Sequence, residues 1–170
     1  DGIKEIVPNN LEKAFRFYSL DLDAQKKGKG TFTEHIIHKT QGHGLGFGDI
    51  NMDGRPDFLL ADGWLEAPQK PLTEAWKWHP EFNFEKGSIP MLVVDLNKDG
   101  RNDFIVGNGH GYGLDWMEQA AGGKWIRHSI DPFNAQFHTM DWIDIAGDHK
   151  PELLTGNVTA HIMTAMTVPL

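Results

Sequence analysis

Cysteine is absent from this 170-residue chain, and long apolar runs are absent too. Without cysteine there is no disulfide framework, no thiolate zinc site and no cysteine nucleophile, although the compartment stays open. No apolar stretch approaches the roughly 20 residues that a membrane-spanning helix needs, so membrane insertion is not expected. Positive charge is scarce as well: 16 Lys and Arg stand against 24 Asp and Glu, for a net charge of -8. Nucleic acid is therefore not an expected partner, because its phosphates require clustered basic residues.

A repeated nine-residue acidic segment organises the chain. Residues 49–57 read Asp-Ile-Asn-Met-Asp-Gly-Arg-Pro-Asp, and residues 95–103 read Asp-Leu-Asn-Lys-Asp-Gly-Arg-Asn-Asp. A degenerate copy, Asp-Ile-Ala-Gly-Asp-His-Lys-Pro-Glu, occupies residues 144–152. Short apolar runs precede and follow each copy, and an aromatic-x-x-His motif recurs in the same register at His35, His79 and His128. Several features in one register indicate a true internal repeat.

The apolar runs predict an all-β fold. They are short, rich in β-branched and aromatic residues, and separated by Gly, Pro, Asn and Asp, which is typical of strands and turns. Four antiparallel strands, named A to D in chain order, fit each unit, and this is the size of one β-propeller blade. The predicted units are 1–37 (strands C and D of a preceding blade with an N-terminal extension), 38–84, 85–134 and 135–170 (a partial blade).

About three four-stranded blades make an incomplete propeller, since propellers close with about four to eight blades. We therefore expect the remaining blades, or partner chains, to cover the open edges. The N-terminal unit is ambiguous: Leu11, Ala14, Phe15 and Tyr18 fit a helix face capped by Asn9 or Asn10. The repeat register places strand C there instead, and we favour the strand.

The acidic segments predict cation-binding loops between strands A and B. Oxygen-bearing side chains at positions 1, 3, 5 and 9, a backbone carbonyl at position 7 and glycine at position 6 suit Ca²⁺, which takes six to eight oxygen ligands. An EF-hand is excluded because its position-12 glutamate is replaced by Leu60 and Val106. For the third copy, a solvated acidic turn stays an equal alternative. The candidate ligands are Asp49, Asn51, Asp53, Arg55, Asp57, Asp95, Asn97, Asp99, Arg101, Asp103, Asp144, Asp148 and Glu152.

These loops resemble the calcium loops of FG-GAP (VCBS-type) repeats, the blades of integrin-α-like propellers. Residues 42–156 are also similar to bacterial FG-GAP proteins, which carry His-Gly-Leu-Gly before the loop and Gly-Leu-x-Trp-x-Glu-Gln in strand C. Here these motifs begin at His43 and Gly113. The resemblance implies a propeller fold, bound Ca²⁺ and an extracellular or periplasmic setting. It does not imply one activity, because propellers host binding modules and enzymes alike.

A second candidate site lies at the opposite ends of the strands. Since the strands alternate in direction, the connections that carry His43, His110, His138 and His161 meet on the face opposite the acidic loops. Imidazole is a common metal ligand and a general acid or base, so His43, His110 and His138 are the catalytic candidates. Hydrogen bonding of these rings to neighbouring backbone is the alternative. Other polar residues predicted to line the same face are Asp62, Asn108 and Tyr112.

The repeated His35, His79 and His128 are predicted to be structural, because they recur beside an aromatic residue in every unit. Most tryptophans are predicted to pack within blades, with Trp64 the one considered for stacking on a sugar. Two functions follow. The first is a calcium-binding module that binds carbohydrate or protein through the histidine face. The second is a carbohydrate-active lyase or dehydratase with Zn²⁺ or Mn²⁺ held by those histidines.

Overall fold

The computed structural model describes residues 4–9 and 13–157. Within these ranges the chain forms twelve strands and no helix, and no helix there is long and apolar enough to cross a membrane. The strands are β1 (Phe15–Leu22), β2 (Gly28–His38), β3 (Leu45–Gly48), β4 (Asp57–Leu60), β5 (Gly63–Glu66), β6 (Lys77–His79), β7 (Leu92–Val94), β8 (Asp103–Gly107), β9 (Tyr112–Ala120), β10 (Lys124–Ala135), β11 (Phe137–Ile143) and β12 (Glu152–Asn157).

Every sheet is an antiparallel meander, and the predicted all-β class is confirmed. Strands β3 to β6 form one four-stranded sheet and β7 to β10 form another, each paired in chain order. Two-stranded sheets, β1–β2 and β11–β12, stand before and after them. None of the four sheets is closed. The part of the predicted partial blade that follows residue 157, with His161, lies outside the described residues.

The N-terminal segment forms a strand rather than the alternative helix. In β1, Phe17 is paired with His35 of β2. The same cross-strand pair recurs as Trp64 with His79 and as Trp116 with His128. The shared register shows that β1 and β2 are equivalent to the third and fourth strands of the two larger sheets.

The hydrophobic core consists of three layers, one between each pair of sheets that follow one another along the chain. Strand β4 contributes to two of these layers, and all four of its residues are buried. Phe58 and Leu60 face the layer shared with the N-terminal sheet, while Leu59 faces the layer shared with the next sheet. In β8, Phe104 and Ile105 divide between two layers in the same way. Continuous apolar runs in these strands therefore reflect burial on both faces.

Glycine lets strands β3 and β7 approach closely. A Cβ built on Gly46 would lie 2.5 Å from the carbonyl oxygen of Met91, and one on Gly48 would lie 2.5 Å from the Cβ of Val93. The Met91 amide donates to the Leu45 carbonyl at 2.8 Å. These contacts fix β3 and β7 side by side, and the acidic loops follow directly from their ends.

Candidate functional site

The first acidic loop folds around the carboxylate of Asp49. Its two oxygens accept the backbone N–H groups of Asp53 at 3.0 Å and Gly54 at 2.8 Å. The Asn51 side-chain oxygen also accepts from the Asp53 amide at 3.1 Å. Asp53 in turn accepts the backbone N–H of Arg55 at 2.9 Å. Gly54 has a φ of 85°, the left-handed conformation that favours glycine at this position.

The second acidic loop repeats this arrangement atom for atom. Asp95 accepts the backbone N–H groups of Asp99 at 3.1 Å and Gly100 at 2.9 Å. Asn97 accepts from the same Asp99 amide at 3.1 Å, and Asp99 accepts from Arg101 at 2.9 Å. Two loops of different intervening sequence thus have one hydrogen-bond pattern. The residues at positions 1, 3, 5 and 6, which make this pattern, are identical in the two loops.

The aspartate at position 9 joins each loop to its sheet. Asp57 is fully buried, and its two oxygens accept the backbone N–H groups of Ile50 at 2.9 Å and Ala67 at 2.8 Å. Asp103, also fully buried, makes the equivalent hydrogen bonds at 3.2 and 2.9 Å. Burial raises the pKa of Asp57, the two amide donors oppose that rise, and the nearby loop carboxylates add to it. These carboxylates hold the ends of each loop together.

The arginine at position 7 braces each loop from outside. The Arg55 side chain donates to the Ala67 carbonyl at 2.9 Å and forms an ion pair with Asp53. Arg101 donates to the Gln119 carbonyl at 2.6 Å and pairs with the aspartate at position 5 of its own loop. Only the backbone carbonyl of position 7 was predicted to matter, so this use of the side chain was missed.

The third loop keeps the same backbone shape despite its divergent sequence. Asp144 accepts the backbone N–H groups of Gly147 at 2.7 Å, Asp148 at 3.1 Å and His149 at 2.8 Å. His149 occupies the glycine position with a φ of 63°. Glu152 accepts the backbone N–H at position 2 of the loop at 2.8 Å, as Asp57 does in the first loop.

Neighbouring loops are also connected. The side-chain amide of Asn102, in the second loop, donates to the Asp49 carbonyl at 2.6 Å.

In the described ranges, no three His, Asp or Glu side chains already surround a single point at metal-binding distance. The side-chain oxygens of Asp49 and Asn51 nevertheless meet at one backbone N–H group, that of Asp53.

At the other ends of the strands, the structure brings His43, His110 and His138 together. His43 precedes β3, His110 lies between β8 and β9, and His138 belongs to β11. The ring centroids of His43 and His110 are 4.4 Å apart, and His138 lies 6.5 Å from the first and 5.7 Å from the second. His161, the fourth predicted member, is outside the described residues.

The His43 ring is held by backbone. Its Nδ1 lies 2.8 Å from the Gly87 carbonyl oxygen, and its Nε2 lies 3.0 Å from Nε2 of His110. Since a carbonyl only accepts, Nδ1 carries the proton and the Nε2 lone pair faces His110. Partial burial lowers the pKa of His110, and the neighbouring His43, His138 and Lys86 lower it further.

The other polar residues predicted for this face have different surroundings. Asn108 accepts the backbone N–H of His110 at 3.0 Å and so shapes the loop that carries it. Tyr112 is exposed at the start of β9. Asp62 instead lies near His38: burial lowers the pKa of His38, and the charge of Asp62 opposes that lowering. The His38 ring contacts Trp78, with the ring centroids 4.3 Å apart.

The repeated histidines make structural contacts. The His79 ring is parallel to Trp64 at 4.0 Å, and its Nε2 lies 2.8 Å from Glu66. His128 stacks at 4.4 Å on the equivalent tryptophan and reaches Glu118 at 2.7 Å. Trp64 is only 5% exposed, so the idea that it stacks on a sugar is wrong. The repeat in the sequence was the signal that separated these histidines from the clustered ones.

An apolar groove of about 940 Å³ was not anticipated from the sequence. It lies between the N-terminal sheet and β3, and Phe47 lines it with 57% of its surface exposed. Leu45 and Phe47 of β3 occupy the same repeat positions as Met91, which directly precedes β7, and Val93 in β7. Met91 and Val93 pack on β3, whereas Phe47 remains open. The groove residues central to this comparison are Val7, Phe17, Leu45, Phe47, Phe58 and Trp76.

Comparison with known proteins finds no match: no family model, no curated protein and no solved structure matches this chain.

Proposed function

We propose that this chain is a calcium-binding segment of an FG-GAP-type β-propeller that serves as a binding module. The single observation that carries the proposal is the identical hydrogen-bond pattern of the first two acidic loops. The side chains at positions 1, 3, 5 and 9 accept backbone N–H groups in both copies. Carboxylate and amide oxygens repeated at these positions are also the ligands that a hard cation would use.

The donor set fits a hard cation. Asp49 and Asn51 each place an oxygen within 3.1 Å of the Asp53 amide, so their oxygens are close to one another. Carboxylate and amide oxygens are the ligands that Ca²⁺ prefers. With Asp53, the Arg55 carbonyl and Asp57, they would hold the ion in the first loop, and a bound Ca²⁺ would screen the repulsion among the carboxylates. Asp95, Asn97, Asp99, Arg101 and Asp103 would hold a second ion, and Asp144, Asp148 and Glu152 a third.

The propeller is supported by the way the sheets stack. Each antiparallel sheet packs face to face on the next in chain order, with the first strands of the two larger sheets side by side. The open groove beside Leu45 and Phe47 supports further blades, supplied by this protein or by a partner chain. In the interface between the two larger sheets, Met91 and Val93 are equivalent to Leu45 and Phe47, and they pack on Gly46 and Gly48. A further innermost strand on Phe47 would bury it in the same way.

The proposed binding surface is the histidine face, and the proposed ligand is carbohydrate or another protein. Calcium loops at one end would stiffen the blades, while the loops at the other end present imidazole, amide and phenol groups from His43, His110, Asn108 and Tyr112. Calcium modules of modest affinity are typical of extracellular proteins, so we place this one outside the cytoplasm, in an extracellular or periplasmic setting.

The calcium part of the proposal is tested by thermal unfolding with and without a chelator. At a calcium concentration tenfold above Kd, each site adds about 1.4 kcal/mol to stability. Asp53→Ala should remove the share of the calcium-dependent shift that belongs to the first loop. The matched control is Asp23→Ala, since Asp23 also caps an exposed turn by accepting backbone N–H groups. A melting temperature that does not respond to calcium would reject the proposal.

A carbohydrate-active lyase or dehydratase is the second candidate, favoured by the contact between His43 and His110. The neutral imidazole of His110 lies beside the Nε2 lone pair of His43. Such an imidazole can remove a proton from a carbon next to a sugar carbonyl or carboxylate, or return one to it. Incubation with acidic polysaccharides should then yield unsaturated products, and His110→Ala should abolish them. If no product forms while the protein still binds the polysaccharide, the binding module is the remaining function.

A further inference from the structure

Three histidines from distant parts of the chain meet at one place, and the site around them is shaped for their rings. A Cβ built on Gly109 would lie 2.7 Å from Cε1 of His43, so glycine there leaves room for the imidazole. One on Gly111 would lie 2.8 Å from the Asn108 side-chain nitrogen. The glycines of the β8–β9 loop thus let it fold closely around the His43 ring.

His43 is oriented as metal-binding histidines are. Its Nδ1–H donates to the Gly87 carbonyl, which fixes the tautomer and turns the Nε2 lone pair toward His110. A backbone carbonyl in this role is the usual outer partner of a metal-ligating imidazole, because it sets both tautomer and ring orientation.

The spacing of the two nitrogens also suits a shared ion. Zinc–nitrogen bonds of about 2.0–2.1 Å in a tetrahedral site place two nitrogen ligands about 3.3 Å apart. The observed separation between Nε2 of His43 and Nε2 of His110 is 3.0 Å. A small outward movement of the exposed His110 ring would open that distance to the required value.

His138 is the third histidine near this point and a candidate third ligand. Its ring centroid is 5.7 Å from that of His110 and 6.5 Å from that of His43, and it is edge-on to both rings. In the described part of the chain no three such side chains already surround one point, so rotation of the His138 side chain is needed to bring its nitrogen to the ion. Three imidazoles would leave the fourth position of a tetrahedral ion open to water or to a ligand oxygen.

We propose that His43, His110 and His138 bind one divalent transition-metal ion of the zinc class. Imidazole nitrogens favour such ions, whereas Ca²⁺ prefers the oxygens of the acidic loops, so the two ends of the sheets would select different metals. The inference rests on the proposed histidine face and does not depend on the calcium loops. An ion with an open position gives that face a direct means of holding a carboxylate or hydroxyl of its ligand.

The test is calorimetric titration of the full chain with Zn²⁺ in saturating Ca²⁺, which keeps the acidic loops occupied. We expect one site, with affinity reduced by far more than tenfold in His43→Ala and in His110→Ala. Gly109→Ala, which displaces the His43 ring without removing a ligand, should cost roughly 10- to 100-fold, the effect of losing an outer partner. The control is His149→Asn, which removes an exposed histidine from the third loop while tolerating its left-handed backbone.

Nuclear magnetic resonance of the wild-type chain provides a second measurement that does not depend on any variant. Zinc should shift the ring nitrogen signals of His43, His110 and His138 and leave those of the stacked His79 and His128 unchanged. Absence of a site at one equivalent, or equal affinity in wild type and His43→Ala, would overturn the proposal. Calcium-dependent melting is measured separately, so failure of the zinc site and failure of the calcium loops give different results.

Discussion

Val93 packs directly on Gly48, and a Cβ at position 48 would lie 2.5 Å from the Cβ of Val93. This contact joins the two larger sheets at a point one residue before the first acidic loop. It explains why glycine is needed at the end of β3. Because Gly48 has no side chain, Val93 can pack against it. This one position therefore affects both the start of the first acidic loop and the distance between the two sheets.

Gly48→Ala should destabilise the protein by about 1–3 kcal/mol, because the added methyl group must displace Val93 or the β3 backbone. Denaturant unfolding measures the change. Gly42→Ala is the matched control, since a Cβ there meets only Ala61 at 3.4 Å. Equal stability of the two variants would show that β3 and β7 are not packed as described.

Asp57→Ala should lower the free energy of unfolding by about 2–6 kcal/mol even without calcium. The change leaves the backbone N–H groups of Ile50 and Ala67 without an acceptor in a buried place, at about 1–3 kcal/mol for each unsatisfied group. Asp131→Ala is the control: Asp131 also accepts two backbone N–H groups, but in an exposed, irregular stretch of β10 where water can replace it. The prediction is contradicted if both variants lose the same stability.

Glu66 should contribute stability that depends on pH. The hydrogen bond with His79 is the main reason that the pKa of Glu66 is lowered, and Lys77 lowers it further. A carboxyl with a lowered folded-state pKa stabilises the fold above its unfolded pKa of about 4.5, and that stability is lost as pH falls through the folded value.

The difference in unfolding free energy between wild type and Glu66→Gln should therefore be largest near neutral pH and shrink below a pH of about 4.5. Glu74→Gln removes the same charge from an exposed turn and provides the comparison. A Glu66→Gln difference that stays constant from neutral to acidic pH would mean that the contact with His79 does not stabilise the folded state.

Much of the fold was predictable because the repeat carries several features in one register. Alternating apolar runs and turn residues predict the strands, and the shared position of Phe17, Trp64 and Trp116 resolves the ambiguous N-terminal segment as a strand. The aromatic-x-x-His motif likewise separates packing histidines from the others. Glu81 could not be predicted in this way, because it lies outside the repeat pattern. It accepts the indole N–H groups of Trp64 at 3.1 Å and Trp125 at 2.8 Å and so links two sheets.

The candidate sites were predictable to different degrees. The acidic loops are local, so spacing alone identified their residues, and topology placed His43 and His110 on one face. The ring orientation of His43 depends on the Gly87 carbonyl, which is 44 residues away in sequence. The groove beside Phe47 likewise depends on what the neighbouring sheet leaves uncovered.

The sequence by itself determined the local structures of this protein: antiparallel strands, acidic turns closed by their own side chains, and a repeat that sets their order. These depend on contacts between residues close along the chain, where residue type and spacing are enough. Only the tertiary structure decided which surfaces meet. The Gly48–Val93 contact, the 3.0 Å approach of His110 to His43 and the open face of Phe47 all arise from packing between separate sheets. Such packing depends on distances across the core that no local pattern specifies.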